Sequence, residues 1–77
     1  MKDLLEYLAK GLVDSPDAVA VESYEEEDGT VVLELHVADD DVGKVIGRNG
    51  RTVNALRTVV RASSVKHGRR VLVDVVD

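Results

Sequence analysis

The spacing of apolar residues divides the first half of the chain into a helix and two strands. Apolar residues recur three to four positions apart over residues 3–13, which predicts a helix. Pro16 interrupts this pattern, because proline has no N–H and restricts the residue before it. Residues 18–26 and 30–38 alternate between apolar and polar side chains and predict two strands, joined through Asp28-Gly29, a typical hairpin turn.

The second half predicts two helices on either side of a glycine-containing turn, followed by a third strand. We expect a short helix over about 40–46, a long helix over 51–66 with Gly68 just beyond its end, and a strand over 69–76. Three aspartates at 39–41 precede the short helix, and one of them is expected to be its N-cap. They also suggest a divalent-metal site, but no other ligand spacing supports one, so we expect neither a metal nor a cofactor.

The order helix, strand, strand, short helix, turn, long helix, strand predicts an α+β fold. We expect one domain over residues 1–77, in which the helices pack on one face of a three-stranded sheet. Glu22, Glu34 and Asp74 are predicted to point from the other face, which is either a protein interface or an ordinary, partly apolar surface. The predicted core residues are Leu4, Leu8, Leu12, Val21, Val31, Leu33, Leu35, Ile46, Val53, Leu56, Val60, Val71 and Val73.

The charges are distributed unevenly along the chain. The net charge of −5 at first argues against a nucleic-acid partner. However, residues 1–41 contain 2 basic and 13 acidic side chains, whereas residues 42–77 contain 8 basic and 2 acidic ones. Such asymmetry is typical of a protein with a nucleic-acid-binding face. The alternative is that the basic residues cluster on solvated helix faces.

The segment Gly47-Arg48-Asn49-Gly50 is the most informative part of the sequence. Glycine adopts positive φ without steric cost and lets the backbone approach a bulky group. The turn leads into the N-terminus of a helix, where unpaired N–H groups and the helix dipole attract anions. Arg51 and Lys44 flank the turn and add positive charge. The segment therefore predicts a site that binds a phosphate backbone.

Residues 45–53, Val-Ile-Gly-Arg-Asn-Gly-Arg-Thr-Val, resemble the V-I-G-x-x-G-x-x-(I/V) signature of KH domains. The predicted elements agree with that family over essentially the whole chain. An extra helix and strand precede the signature, which resembles the type II arrangement, and a free-standing chain of this size is similar to the small bacterial KhpA family. The resemblance implies single-stranded RNA binding and RNA-chaperone or post-transcriptional regulatory work. It also implies a homodimer, a heterodimer with a KhpB-like KH protein, or both.

In the KH family the Gly-x-x-Gly turn clamps the RNA backbone, and the bases lie in an adjoining groove. The resemblance implies that three parts of the chain lie along that groove: Val45 or Ile46, the start of the long helix, and the strand near residues 33–37. The alternative for Ile46 is a position in the core. Asn49 either donates a hydrogen bond to phosphate or is present only because it tolerates the tight turn. Arg57 and Arg61 either extend the row of phosphate contacts or lie on a solvated face of the helix. The candidate RNA-binding residues are Lys44, Val45, Ile46, Gly47, Arg48, Asn49, Gly50, Arg51, Val53, Asn54 and Arg57.

Other features limit the classes of function. The chain has no Cys, its two His have no evident catalytic partner, and no Walker-type lysine follows Gly50, so we do not expect an enzyme. Only Tyr7 and Tyr24 are aromatic, which argues against a base-stacking platform. We find neither a signal peptide nor the apolar run of roughly 20 residues that a membrane span needs, and expect a cytoplasmic protein without membrane contact. The rival hypothesis is a KH fold used mainly for protein–protein contact, which binds RNA weakly or only beside a partner.

Overall fold

The computed structural model describes residues 1–65 and 68–76. Within this part of the chain, three α-helices and three strands follow each other in the predicted order. The predicted end of the long helix at residue 66, and residue 67, lie outside the described residues. No helix in the described ranges is both long and apolar enough to cross a membrane. The elements are α1 Lys2–Lys10, β1 Ala20–Glu25, β2 Val31–His36, α2 Val42–Ile46, α3 Arg51–Val65 and β3 Val71–Val76, with single 3-10 turns at Pro16–Ala18, Asp39–Asp41 and Arg48–Gly50.

The three strands form a mixed sheet in the order β1-β2-β3. β1 and β2 are antiparallel, with Val21 opposite Leu35, while β2 and β3 are parallel, with Leu33 opposite Val73. Parallel neighbours require a long crossover connection, and α2 and α3 provide it. α1 packs on β1 and β2, α3 packs on β3, and α2 packs against α3. The predicted α+β fold is confirmed.

The hairpin between β1 and β2 is closed by the residues that predicted it. The N–H of Glu26 donates to the carbonyl of Thr30 (2.8 Å), and the N–H of Gly29 donates to the carbonyl of Glu26 (2.9 Å). Gly29 has a φ of 88°, which suits glycine. A carboxylate oxygen of Asp28 accepts the N–H of Thr30 (2.9 Å), and this hydrogen bond lowers the pKa of Asp28. The Asp28-Gly29 hairpin is thus confirmed.

Most of the predicted core residues are buried, but α1 turns a different side toward the sheet. Leu5 and Ala9 are fully buried, whereas Leu12 is 41% exposed. α1 ends at Lys10, so Leu12 lies beyond the helix and its predicted place in the core is wrong. Leu4 and Leu8 are partly buried, and the residues buried as predicted are Val21, Val31, Leu33, Leu35, Val53, Leu56, Val60, Val71 and Val73.

Helix α3 separates two surfaces of the molecule. Its buried side packs toward the sheet, and at 3.6 residues per turn the residues on either side of this row point in opposite directions. One surface is an apolar groove of about 250 Å³ against α1, and the other is a polar groove of about 460 Å³ against β3. We call Thr52, Ala55 and Val59 the α1 flank of α3, and Asn54, Arg57 and Arg61 its β3 flank.

Candidate nucleic-acid interface

The turn between α2 and α3 contains three residues with positive φ. Gly47 (φ 75°, ψ 172°) ends α2, and its N–H donates to the carbonyl of Gly43 (2.8 Å). Asn49 (φ 58°) and Gly50 (φ 76°) follow. Asparagine is one of the few residues with a side chain that enters this region readily. The backbone role of Asn49 is therefore seen directly, and its side chain stays exposed.

The two glycines of the turn serve different purposes. A Cβ on Gly47 would lie 2.8 Å from the Cβ of Thr52 and 2.9 Å from its backbone nitrogen, too close for any side chain. A Cβ on Gly50 would meet nothing nearer than Nδ2 of Asn54, at 3.7 Å. At Gly47 the missing Cβ makes room for the start of α3. Gly50 is required by its positive φ.

Positive charge and unpaired N–H groups meet at the turn. Within the described residues, Arg48 and Arg51 are exposed and form neither an ion pair nor a side-chain hydrogen bond. The backbone hydrogen bonds in this part of the chain use the N–H groups of Gly47, Gly50 and Arg51, and those of Arg48 and Asn49 have no backbone acceptor. The N-terminus of α3 adds the positive end of its dipole. The arrangement suits an oxyanion such as phosphate.

The groove on the β3 flank begins beside the turn. Asn54 lines its near end, next to Gly50. Arg57 donates through Nε to the carbonyl of Val73 (3.2 Å) and through Nη1 to Oδ1 of Asn54 (3.2 Å). Among the described strands β3 has a neighbour on one side only, so its other edge is open beside Arg57. The groove thus presents guanidinium, amide and main-chain groups next to the anion site.

Comparison with known proteins shows the family of this chain. A sequence profile described as KhpA/KhpB, KH domain, matches residues 2–75. The chain belongs to the KhpA/KhpB KH-domain family. The RNA-binding protein KhpA of Streptomyces coelicolor is 56% identical over 77 residues, which cover 100% of this chain and 92% of the relative. The RNA-binding protein KhpA of Clostridium acetobutylicum is 50% identical over 76 residues, which cover 99% of this chain and 100% of the relative.

A solved structure has the same fold at low sequence identity. The crystal structure of Era in complex with MgGDPNP and nucleotides 1506–1542 of 16S ribosomal RNA matches with a TM-score of 0.67 and 18% identity. The match covers 96% of this chain and 28% of the Era chain. The likeness to Era is therefore one of fold, found in part of a longer protein.

In this KhpA/KhpB-family chain, Lys44 is engaged in ion pairs on α2. Its ammonium pairs with Asp14 and lies 3.6 Å from a carboxylate oxygen of Asp41. The hydrogen bond from Lys44 to Asp14 raises the pKa of Lys44, and the nearby carboxylates add to the shift. Two carboxylates therefore offset the charge that Lys44 was expected to bring to the turn.

Asp41 fixes α2 through a contact other than the predicted helix cap. It occupies the N-cap position, but its side chain makes no capping hydrogen bond. Instead, Oδ1 accepts the N–H of Asp14 (3.2 Å) and Oδ2 accepts the N–H of Ser15 (3.0 Å). Burial raises the pKa of this carboxyl, but the two N–H groups and Lys44 outweigh burial and lower the pKa overall. The predicted N-cap position is confirmed at Asp41, but its carboxylate ties α2 to the loop after α1 instead of capping the helix.

The apolar candidate residues differ in burial. Val45 is 0% exposed and Val53 is 6% exposed, so their side chains are not accessible to a ligand. Ile46, at the end of α2, is 37% exposed beside the turn. The predicted core position of Ile46 is therefore wrong. Val45 occupies the core, and Ile46 is the apolar side chain left at the surface.

The residues expected along the groove, on the strand near residues 33–37, do not line it, although Val32 of the same strand does. That strand, β2, is central and paired on both edges, and Leu33 and Leu35 are 1% and 0% exposed. β3 lies beside α3 instead, where Val73 and Asp74 line the groove, and Tyr24 lines it from β1. Alternation along a strand does not say whether the strand is central or at the edge, so no signal in the sequence pointed to β3.

Proposed function

We propose that this chain binds single-stranded RNA, with a backbone phosphate at the turn of residues 47–50 and bases in the groove between α3 and β3. The observation that carries the proposal is the pair of exposed guanidiniums of Arg48 and Arg51, which have no ion-pair partner among residues 1–65 and 68–76 and lie beside the open N–H groups of the turn. Relatives matching the full chain are named RNA-binding proteins. The Era structure of the same fold contains ribosomal RNA. Both findings support the same class of ligand here.

In this proposal the turn acts on the RNA backbone. The N–H groups of Arg48 and Asn49 donate to phosphate oxygens, and the guanidiniums of Arg48 and Arg51 attract the chain over a longer range. Such contacts position a nucleic acid without reading its sequence. Gly47 and Gly50 shape the turn, and the side chain of Lys44 contributes mainly to the surrounding field because it is paired.

The groove acts on the bases. Asn54 offers its amide to base edges and Ile46 offers an apolar contact, while Val45 and Val53 support these residues from the core. The guanidinium of Arg57 extends the phosphate contacts of the turn along the groove. Polar contacts of this kind, without a row of aromatic rings, leave most of the affinity to phosphate and give weak sequence selectivity. We therefore propose work as an RNA chaperone or post-transcriptional regulator in the cytoplasm, by binding alone and without catalysis.

The test is fluorescence anisotropy of a labelled single-stranded RNA with purified protein, over a series of salt concentrations. Binding should weaken as salt rises, with a slope of about −0.7 per phosphate contact on a logarithmic plot. The double variant Arg48→Asp/Asn49→Asp reverses the charge of the turn, and aspartate is tolerated at the positive φ of Asn49. We expect it to fold normally and lose RNA binding.

A control with the same change in net charge separates the turn from the overall charge. Lys2 and Lys10 are exposed on α1, far along the chain from the turn. The double variant Lys2→Asp/Lys10→Gln alters the net charge as much as Arg48→Asp/Asn49→Asp does. It should keep most of the wild-type affinity. Equal affinities of the turn variant and wild-type protein would contradict the clamp and favour a protein-interaction role.

A second observation favours a protein partner in addition to RNA. The groove against α1 is lined almost entirely by apolar groups, and Leu12 and Val59 in it are 41% and 44% exposed. Exposed apolar grooves are typical of protein–protein contact. We propose that this surface supports a homodimer, or a heterodimer with a KhpB-like KH protein. It lies on the α1 flank, so association there leaves the groove on the β3 flank open to RNA and raises the effective concentration of binding sites.

A further inference from the structure

The face of the sheet away from the helices carries a row of carboxylates. The register places Glu22 opposite Glu34, and Glu34 opposite Asp74, so the three side chains cross the sheet in line. His36 follows Glu34 on the same face of β2, since side chains alternate along a strand. No Lys or Arg in the described ranges forms an ion pair with any of these carboxylates. Like charges directly opposite each other destabilise paired strands, so this row favours a bound cation.

Three of these side chains converge on one point. The ligand atoms of Glu22, Glu34 and His36 lie within 4.8 Å of one another. Two ligand atoms that are each about 2.1 Å from a tetrahedral zinc ion are roughly 3.4 Å apart. The three ligand atoms therefore need to move only a short distance toward one another, and rotation of the flexible glutamate side chains is sufficient for that. The strands themselves hold the three residues in register.

The histidine supplies an observation that does not depend on the acidic row. Among residues 1–65 and 68–76, no group is a hydrogen-bond partner of Nε2 of His36, which is buried. A buried polar atom without a partner costs free energy, and such atoms are few in native proteins. Imidazole is the commonest metal ligand among side chains. His36 therefore adds an imidazole, a good metal ligand with a nitrogen still free to bind, to a group that already contains two carboxylates.

We propose that Glu22, Glu34 and His36 bind a zinc ion on the outer face of the sheet. One nitrogen and two carboxylate oxygens are donors that zinc accepts, whereas Mg²⁺ and Ca²⁺ prefer oxygen ligands alone. Water completes the tetrahedral shell. The ion links β1 to β2, and its three ligands are not among the residues that line the groove between α3 and β3, so the proposal does not depend on RNA binding. The sequence indicated no such site because the ligands meet only through the strand register.

The test is a titration of untagged, metal-free full-length protein with zinc chloride, in competition with a coloured zinc indicator. We expect one ion per chain, and the thermal unfolding midpoint should rise with zinc because a ligand that binds the folded state stabilises it. Zinc should also shift the NMR resonances of the His36 ring in the wild-type protein. That measurement needs no variant and remains valid if a substitution disturbs folding.

Variants locate the site. His36→Ala and Glu34→Gln should each weaken zinc binding by about tenfold or more. His67→Ala removes the other histidine of the chain, and Glu27→Gln removes a carboxylate of the hairpin turn, and both should bind zinc like the wild-type protein. The proposal is overturned if zinc fails to bind, if His36→Ala binds as tightly as the wild type, or if Mg²⁺ displaces zinc at equal concentration.

Discussion

On its α1 flank, helix α3 presents Ala55 and Val59 to an apolar groove, whereas on its β3 flank it presents Asn54 and Arg57 to polar and charged groups. The two surfaces border the same buried row, and their members alternate along the chain. The position of a residue relative to that row decides which surface it joins, because each residue rotates the helix by about 100°. One helix with one buried stripe can therefore support two surfaces of opposite chemistry.

The flanks also differ in how their side chains are held. Arg57 is fixed by hydrogen bonds to the carbonyl of Val73 and to Asn54. On the α1 flank, packing is the only constraint on Val59, and it leaves that side chain 44% exposed. A surface of ordered polar groups suits a ligand with hydrogen-bonding edges, whereas a loosely covered apolar surface suits another protein. Variants on each flank should accordingly affect different partners.

The largest effect is expected at the turn from which both flanks start. Gly47→Ala would place a Cβ 2.9 Å from the backbone nitrogen of Thr52 and hold alanine at a φ of 75°. Positive φ alone costs about 1–2 kcal/mol. With the added clash, we expect the free energy of unfolding to fall by about 3 kcal/mol, measured by urea denaturation.

Gly50→Ala is the matched control for Gly47→Ala, because Gly50 lies in the same turn with a φ of 76° but has space for a Cβ. In Gly50→Ala the free energy of unfolding should fall only by the cost of holding alanine at positive φ, about 1 kcal/mol. Equal losses in the two variants would contradict the packing role of Gly47 and leave φ as the reason for both glycines.

Val59→Glu should show the clearest difference between the two flanks, because we expect it to affect protein association and not RNA binding. Since Val59 is 44% exposed, the monomer should remain folded, but a charge buried without a partner in a protein interface should weaken self-association by about a hundredfold. Sedimentation equilibrium measures this change. Val65→Glu is the control, since Val65 lies on α3 outside the apolar groove and is 75% exposed. If Val59→Glu weakened binding of a short RNA to the monomer, the two flanks would not be independent.

The sequence predicted the order of elements because alternation, helical spacing and the glycines act locally. The hairpin at Asp28-Gly29 and the turn at residues 47–50 depend on their own φ angles, and both were found as expected. The errors concern side-chain direction. Val45 and Ile46 are both apolar neighbours at the end of a five-residue helix, which is too short for periodicity to show which one is buried.

The other errors arise from contacts between distant parts of the chain. β3 lines the groove because it pairs in parallel with β2 at the edge of the sheet. This position follows from the topology of the sheet and not from the composition of β3. Lys44 was predicted to add positive charge beside the turn, but Asp14, in the loop after α1, forms an ion pair with it. One of the three aspartates at 39–41 was predicted to be the N-cap of α2, and Asp41 takes that position, but its carboxylate accepts N–H groups of that same loop. The general form of the site was thus predictable, while the partners of its charged residues were not.

Arg57→Gln tests the β3 flank with a moderate expected effect. The substitution removes the positive charge while keeping a group that can donate to the carbonyl of Val73. RNA affinity should fall about fivefold to tenfold, and the slope of the salt dependence should decrease by about 0.7. Arg69→Gln is the control, because Arg69 pairs with Glu25 and does not line this groove. A change in affinity without a change in slope would show that Arg57 acts through packing and not by meeting a phosphate.

The smallest effect is expected at Asp14, and its direction is the informative part. Asp14→Asn removes the nearer carboxylate from Lys44, so the ammonium becomes available to RNA at the end of α2. Anisotropy measurements should show RNA affinity rising by about twofold, with a slightly steeper salt dependence. Asp17→Asn gives the same net charge without touching Lys44, and the double variant Asp14→Asn/Lys44→Gln removes the released cation. Because the gain in RNA affinity depends on Lys44, it should be absent from both of these variants. A gain that also appeared in Asp17→Asn would come from net charge alone, and the ion pair with Asp14 would then have no bearing on the RNA site.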